Sequence, residues 1–213
     1  VYQWENLIIQ IAENESVFKS RYQKLLNDWT PDWVWMHNPY FPDIDIELCF
    51  PDSSQRYCFF IRSDQGMDRM DKYQERYQLA IANSEYLRKK ANDKWPVASE
   101  VVYSVPTKES IISDEPLDHR QYITMINPVK AKGGEVIKAL IEYFPQRYFM
   151  VVEGWIDPEI EGLTFKDYDN VCYLKPTLDM KSVYGYSRVL LIPSLWGENL
   201  PRIVFEANIN GVP

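Results

Sequence analysis

Residues 189–213 read VLLIPSLWGENLPRIVFEANINGVP, an apolar run followed by a loop and a segment that ends near Gly211. The run Val189–Pro193 is short and apolar, which is typical of a buried strand. Pro201 suits the first turn of a helix, since proline has no N–H to satisfy there, and Asn199 is the expected N-cap. Gly211 is expected to end that helix in a left-handed conformation. The stretch therefore predicts one strand–loop–helix unit of an α/β fold.

The same alternation extends along the rest of the chain. We expect strands at 33–36, 57–61, 79–84, 100–105, 122–126, 148–152, 171–174 and 189–193, and helices at 1–28, 64–77, 84–93, 135–143, 178–186 and a last one to about 210. Short apolar strands between helices are typical of parallel sheets covered on both faces. The prolines and acidic residues of 106–119 indicate a linker, so the prediction is two Rossmann-like domains, 1–108 and 109–213.

Charge and composition exclude several classes of function. Lys plus Arg number 23 and Asp plus Glu 31, a formal net charge of −8, whereas nucleic-acid binding needs clustered positive charge. The three cysteines and two histidines form no zinc-binding pattern. No apolar run reaches the roughly 20 residues that a membrane span needs. We expect no metal, no cofactor, no nucleic-acid partner, no transmembrane segment and, from the sparse cysteines, a cytoplasmic location.

The loop and helix after residue 193 carry groups suited to a polar ligand. Ligands of such sheets bind at the carboxyl ends of the strands, and free N–H groups near residues 199–202 would favour an anion. Glu206 could accept both hydroxyls of a vicinal diol, as on a ribose, and Glu198 would reach a second hydroxylated group. The set suits a ligand with a sugar, a diphosphate and a ribose in a row. Both glutamates are also explained as ordinary solvated charges.

The spacing of Glu198 and Glu206 resembles the E-x7-E motif of group 1 retaining glycosyltransferases of the GT-B fold. A second stretch, INPVKAKGG at 126–134, is similar to the basic Lys-Gly loop that this family places on the donor diphosphate. The resemblance implies that Lys132 contacts the diphosphate, and that Gly133 allows close backbone approach. By itself Lys132 is also explained as a solvated loop lysine.

The chain departs from the family pattern at Asn127, where the family commonly has an arginine five residues before the lysine. Lys130 or Arg202 would then supply the second positive charge. The stretch NVCYLKP at 170–176 is similar to the strand end that lines the family's nucleobase pocket, largely through backbone groups near Tyr173 and Leu174. A plain core strand explains it equally well.

In the first half, PDWVWMHNP at 31–39 resembles the family's strand that ends in a histidine placed to touch the transferred sugar. This implies such a role for His37, which is also explained as a structural residue at a strand end. The resemblance covers roughly residues 29–213. It implies that both domains are incomplete relative to the family, since a first strand with a glycine-rich loop and the closing helices are missing.

The resemblance implies a GT-B architecture in which two domains face a cleft, and an enzyme that transfers a sugar from a nucleoside-diphosphate sugar to a hydroxyl with retention and without metal. The acceptor would be saccharide or lipid-linked, as in polysaccharide biosynthesis, with peripheral membrane contact left open. A non-catalytic nucleotide-sugar-binding protein and a sugar-nucleotide epimerase are the alternatives, because fold does not fix chemistry. The implied catalytic residues are Lys132, Glu198 and His37, and the implied donor-binding residues are Asn127, Gly133, Tyr173, Leu174, Asn199, Leu200, Arg202 and Glu206.

Overall fold

A computed structural model describes residues 2–4, 7–10, 12–37, 55–104, 111–195, 197 and 199–213. The chain divides into two compact units, residues 1–103 and 104–213. Elements of the first unit are β1 (Tyr2–Trp4), β2 (Leu7–Ile9), α1 (Glu15–Trp29), β3 (Val34–His37), β4 (Tyr57–Ile61), α2 (Asp64–Met70), a 3₁₀ turn (Asp71–Arg76), β5 (Tyr77–Ala82), α3 (Glu85–Lys94) and β6 (Ala98–Val101). The four strands β3 to β6 form one parallel sheet in chain order.

The helix expected over residues 1–28 is wrong in its first half, where β1 and β2 pair antiparallel with Tyr2 opposite Ile9. Aromatic and β-branched residues favour strands, and a short apolar run fits either period. The helix begins only after Asn14, whose side-chain oxygen accepts a hydrogen bond of 3.0 Å from the N–H of Val17. This cap satisfies one of the free donors of the first turn and fixes where α1 begins.

The core of the first unit lies between its sheet and the helices α2 and α3. Phe59 on β4, Met67 on α2 and Leu87 on α3 are fully buried. The predicted cap of α3 is confirmed, because the hydroxyl of Ser84 accepts a hydrogen bond from the N–H of Leu87 at 3.3 Å. The helix expected at 64–77 is shorter than predicted, since a 3₁₀ turn follows α2 and β5 already begins at Tyr77.

The second unit holds the other parallel sheet. Its elements are a 3₁₀ turn (Leu117–His119), β7 (Tyr122–Ile126), a 3₁₀ turn (Lys130–Lys132), α4 (Gly134–Tyr143), β8 (Phe149–Val152), a 3₁₀ turn (Pro158–Glu161), β9 (Val171–Leu174), α5 (Met180–Tyr186), β10 (Ser187–Leu190) and α6 (Arg202–Ile209). The strand order is β10-β7-β8-β9, with every pair parallel. The predicted α/β class with two parallel sheets is confirmed.

The stretch expected to be a linker is structured in its second part. Ile111 is buried in one core with Tyr184 and Leu190, and the N–H of Ser113 donates to the side-chain oxygen of Asn210 at 2.8 Å. Burial of an apolar side chain and a long-range hydrogen bond tie this segment to the second unit. The linker interpretation therefore fails from Ile111 onward; residues 105–110 lie outside the described part of the chain.

The order of the second sheet creates a switch point. The chain runs from β7 to β8 and β9 in one direction, then returns to place β10 on the other side of β7. The connections that leave β7 and β10 thus diverge, and open α/β sheets bind ligands in the crevice outside the carboxyl ends of such strands. Among the described residues, no helix has the length and apolar character to cross a membrane.

Candidate functional site

Two loops meet at the switch point of the second sheet. One follows β7 and contains residues 127–133, and the other follows β10 and leads to α6. The N–H of Leu195 donates to the carbonyl of Ala131 at 3.0 Å. A Cβ built on Gly133 would lie 2.3 Å from the carbonyl oxygen of Pro193. The structure therefore brings the predicted cationic loop against the predicted segment before the last helix.

The loop after β7 is held by its own backbone. Gly133 has a φ of 85°, which glycine adopts without strain, and its N–H donates to the carbonyl of Lys130 at 2.8 Å. The N–H groups of Lys132 and Gly134 donate to the carbonyl of Val129 at 3.0 and 2.9 Å. Because these amides bond within the loop, an anion here would meet the Lys132 side chain rather than those N–H groups. Glycine is required at position 133 because a Cβ there would collide with the backbone of Pro193.

Lys132 is half-buried, and its ammonium nitrogen lies 6.0 Å from the centre of the Trp155 ring. Trp155 follows β8 and is 67% exposed. A cation over an aromatic face is attracted by the ring. The contact places the charge of Lys132 beside the loop that follows β8.

Asn127, the residue that stands where the resembled family has arginine, is 6% exposed and has a φ of 60°. Asparagine tolerates this left-handed conformation better than most residues. Its backbone N–H donates to the carbonyl of Val152 at 2.8 Å. Both side-chain amide atoms are buried without a hydrogen-bond partner among the residues that the structure describes.

The last helix begins later than predicted. α6 starts at Arg202, with Pro201 in the N-cap position, so the prediction of Asn199 as N-cap and of Pro201 in the first turn is wrong. The reason is local: Val204 already closes the first turn by donating to the carbonyl of Pro201 at 3.0 Å. Asn199 and Leu200 are half-buried in the loop before the helix. Trp196 and Glu198 lie outside the described residues.

Glu206, one turn into α6, is 4% exposed. One carboxylate oxygen accepts a hydrogen bond of 2.7 Å from the hydroxyl of Tyr184, and the other lies 3.4 Å from a guanidinium nitrogen of Arg202. Burial and the adjacent Glu206 carboxylate raise the pKa of Tyr184 above its usual range, so this phenol stays protonated as the donor. A carboxylate accepts at about four lone-pair positions, so two partners leave capacity for a ligand.

A second charged group lies at the ends of β8 and β9. Glu153 accepts hydrogen bonds from the Tyr173 hydroxyl and, at 2.8 Å, from the Lys175 ammonium. Hydrogen bonds from Lys175 and then Tyr173 lower the pKa of Glu153, while burial and then Glu153 raise the pKa of Tyr173. The Tyr173 side chain is thereby committed to Glu153.

The backbone of β9 offers further polar groups. Phe149 and Glu153 donate their N–H groups to the carbonyls of Asn170 and Leu174. The backbone N–H and C=O groups of successive residues in a strand point to opposite edges. Since Leu174 faces β8, the N–H and C=O of Tyr173 point away from β8. Along the described part of the chain, no strand pairs with that edge of β9.

His37 ends β3 in the first unit. Its Nε2 lies 3.3 Å from a guanidinium nitrogen of Arg62, and its ring centre lies 5.7 Å from that of Phe60. Loss of hydration, and then the Arg62 charge, lower the pKa of His37. The imidazole is therefore neutral at pH 7 and accepts from Arg62 through Nε2.

The arrangement of possible metal-ligating side chains can be judged for the described residues. Within the ranges described above, no three His, Cys, Asp or Glu residues cluster closely enough to hold an ion. The chain contains two Asp-x-Asp triplets, 43–45 and 167–169. The first lies outside the described residues, and the second lies in the turns before β9.

Sequence reasoning missed two residues of this region. Tyr184 holds Glu206 from 22 positions away, and nothing in the local pattern of α5 signals this contact. Glu153 could have been found, because it directly follows a buried strand at the edge where ligands of such sheets bind.

No protein-family model matches the chain, and no curated protein sequence matches it significantly. Solved structures do resemble it. Sucrose-phosphate synthase from Thermosynechococcus elongatus gives a TM-score of 0.73 at 14% identity, covering 93% of this chain and 59% of that one. Anabaena HepE in complex with UDP and glucose gives 0.65 at 14%, covering 90% and 60%. UDP-GlcNAc 2-epimerase from Neisseria meningitidis bound to UDP-GlcNAc gives 0.54 at 15%, covering 83% and 58%.

These likenesses agree with the predicted GT-B type of α/β fold. The chain spans about three fifths of the length of the structures that it matches, 59% of the first and 60% of the second. At 14% identity, the likeness establishes the fold and leaves the chemistry to be argued from this chain's own residues.

Proposed function

We propose that this protein transfers a sugar from a nucleoside-diphosphate sugar to an acceptor hydroxyl. One observation carries the proposal: the loop with Lys132 packs against the segment that leads into α6, through Gly133 and Pro193, at the switch point of the sheet. A cationic side chain beside the amino end of a helix suits a diphosphate. The solved complexes of HepE with UDP and glucose, and of the epimerase with UDP-GlcNAc, support a UDP-sugar as the donor class.

The donor is proposed to lie along the carboxyl ends of β7, β8 and β10. Lys132 and Arg202, with Asn127 and the loop at 199–200, hold the diphosphate, whereas Gly133 acts indirectly, by letting the Lys132 loop pack against Pro193. Glu206 accepts from the ribose hydroxyls, and its fixed position supports this, since Tyr184 and Arg202 already orient the carboxylate. The backbone groups of Tyr173 that point away from β8, together with Leu174, contact the nucleobase.

The difficult step is departure of the diphosphate from an anomeric carbon that gains positive charge. The bond from that carbon to the phosphate oxygen breaks, and negative charge grows on the leaving phosphate. Fixed donors aimed at such charge are worth on the order of 3 kcal/mol each, which Lys132 and the first N–H groups of α6 would supply without a metal. The acceptor oxygen then bonds to the same face of the sugar, and its proton passes to the leaving phosphate, which gives retention.

His37 and Glu198 are proposed to contact the transferred sugar. The neutral imidazole of His37 is held by Arg62 at Nε2 and by a hydrogen bond to the backbone of Phe60, so contact with a sugar hydroxyl would require exchange of one of these two bonds. The acceptor is proposed to be a saccharide or lipid-linked saccharide, and the reaction to belong to cytoplasmic polysaccharide synthesis.

The test uses the longest native polypeptide that contains these 213 residues. UDP-glucose, UDP-GlcNAc, GDP-mannose and ADP-glucose are incubated with a saccharide panel, with and without EDTA, and released nucleoside diphosphate is measured. Acceptor-dependent release that EDTA leaves unchanged supports the proposal. The anomeric configuration of the product, read by NMR, tests retention, and an inverted product would contradict it.

An epimerase is the second candidate, favoured by the likeness to UDP-GlcNAc 2-epimerase at a TM-score of 0.54. It would convert the sugar nucleotide without an acceptor. A new sugar nucleotide in the acceptor-free reaction therefore selects the epimerase. A thermal shift with a donor but no turnover selects a non-catalytic binding protein.

A further inference from the structure

Asn127 is an unusual residue to find buried at the end of β7. Its side chain is 6% exposed, and neither Oδ1 nor Nδ2 has a hydrogen-bond partner in the described part of the chain. Buried amides are nearly always paired, because an unpaired donor or acceptor loses its hydration without compensation. Two unpaired atoms on one side chain, at the carboxyl end of a strand beside a switch point, indicate a group kept ready for a ligand.

The backbone and the neighbouring strand hold this amide in place. Asn127 has a φ of 60°, and its N–H and C=O bond to Val152 and Val129 at 2.8 and 2.9 Å. The side chain lies directly against Gly154, which follows β8. A Cβ built on Gly154 would lie 2.3 Å from Oδ1, 2.4 Å from Cγ and 2.6 Å from Cβ of Asn127. Non-bonded atoms do not approach this closely, so any side chain at position 154 must displace the Asn127 amide.

We infer that Gly154 is a positioning residue for donor binding: its missing side chain leaves the space that sets the Asn127 amide at the carboxyl end of β7. The inference rests on the proposed function, because the ligand is taken to be the nucleoside-diphosphate sugar. Gly154 touches no ligand atom in this scheme and acts through Asn127.

The chemistry of the amide matches that ligand. An asparagine side chain offers a donor at Nδ2 and an acceptor at Oδ1. A phosphoryl oxygen accepts from Nδ2, and a sugar hydroxyl donates to Oδ1, so one nucleoside-diphosphate sugar can satisfy both unpaired atoms. If the amide were rotated or shifted, Nδ2 and Oδ1 would no longer face the phosphoryl oxygen and the sugar hydroxyl.

The experiment is a double-variant cycle on the whole chain, with Gly154→Ala, Asn127→Gly and the two combined. Gly154 does not have a left-handed φ, so alanine is not strained by its own backbone there. Glycine at 127 tolerates the positive φ and removes the side chain that a methyl group at position 154 would strike. Binding of UDP, GDP and ADP is measured by titration calorimetry, and the melting temperature of each variant is recorded.

The control is Gly162→Ala. Gly162 has a φ of 77°, and among the described residues nothing lies within 4 Å of its built Cβ. Alanine there strains the backbone without entering any occupied space. It should lower the melting temperature and leave the dissociation constant unchanged, which separates lost stability from lost positioning.

We expect Gly154→Ala and Asn127→Gly each to weaken binding about tenfold or more, and the double variant to bind no more weakly than Asn127→Gly alone. Gly154→Ala with the affinity of the parent chain, or losses that multiply in the double variant, would overturn the inference. If Gly154→Ala fails to fold, recovery of folding in the double variant supports the steric coupling, and failure there as well overturns it. A parent chain that binds none of the three diphosphates overturns the proposed function, which is a distinct result.

Discussion

The two sheets are built alike and end differently. Both have four parallel strands, but β3 to β6 follow each other in chain order, whereas β10 returns to lie beside β7. At the end of β3, the His37 ring lies against Arg62 and Phe60, two residues of the adjacent strand and of the loop that follows it. At the ends of β7 and β10, the loop after β7 contacts the segment after β10, through Ala131 with Leu195 and through Gly133 with Pro193. The return of β10 beside β7 therefore brings the loop that contains Lys132 against the segment that leads toward α6.

The largest expected effect concerns the second sheet. Lys132→Ala should lower turnover by about 10²-fold or more, because charge on the leaving phosphate loses a fixed donor. Steady-state kinetics measure it, with the sugar nucleotide of the donor panel that gives the fastest acceptor-dependent release. Lys138→Ala, on α4 after the same loop, is the control and should stay near the parent rate. Equal rates for the two variants would contradict the role of Lys132 at the switch point.

Glu206→Gln should weaken nucleoside-diphosphate binding about tenfold, since it replaces a carboxylate acceptor of charged hydrogen-bond strength. Calorimetry with UDP measures the change. Tyr184→Phe removes only the hydroxyl that orients Glu206, and a smaller loss of affinity is expected. A greater loss in Tyr184→Phe than in Glu206→Gln would contradict the assignment of the Glu206 carboxylate as the direct contact to the ligand.

His37→Gln, in the first sheet, should lower turnover about tenfold, the equivalent of one lost hydrogen bond in the transition state, with unchanged affinity for UDP. Because the pKa of His37 lies below its usual value, the parent rate should hold from pH 8 down to about 6.5 and fall as the imidazole protonates. Kinetics and calorimetry across this range test both points. Weakened UDP binding in His37→Gln would contradict the contrast between the sheets.

The smallest effect is on the stability of the first unit at low pH. Asp71 accepts from Trp95 at 2.6 Å and from Lys94 at 3.0 Å, and these bonds lower its pKa. A lowered pKa adds stability above the unfolded value of about 4, which is lost as pH falls through the folded pKa. Asp71→Asn should therefore flatten the decline in urea midpoint between pH 5 and 3. Asp93→Asn, exposed on α3, should leave the slope unchanged.

The strands β3, β4, β7, β8 and β9 could be predicted because each is a short apolar run bounded by breakers. β5, β6 and β10 each begin two residues earlier than predicted, at Tyr77, Ala98 and Ser187, because their pairing with neighbouring strands includes polar residues before the apolar run. The start of α3 could also be predicted, since serine is a common N-cap residue and Ser84 directly precedes the helix. The start of the first helix could not be predicted, because the apolar residues around Leu7 fit both the helical repeat of 3.6 residues and the strand repeat of two. Only the pairing of β1 with β2 decides between a helix and a strand there. The start of α6 was missed because Pro201 takes the cap position that Asn199 was expected to hold.

Only part of the candidate site could be predicted from the sequence. Lys132 and Glu206 are marked by their spacing from strand ends, which is local information. The partners that orient them are not local: Tyr184 reaches Glu206 across 22 residues, and Trp155 reaches Lys132 across the next strand. Gly154 looks like any turn glycine until the Asn127 amide is seen against it.

The contact between Gly133 and Pro193 has a consequence for how related chains can diverge. A side chain at 133 would collide with a carbonyl group, which cannot rotate away as a flexible side chain can. A chain with a larger residue at 133 must therefore move the whole connection around 193 outward. Homologues that lack this glycine are expected to carry compensating insertions or substitutions in that connection, so that the two positions drift together.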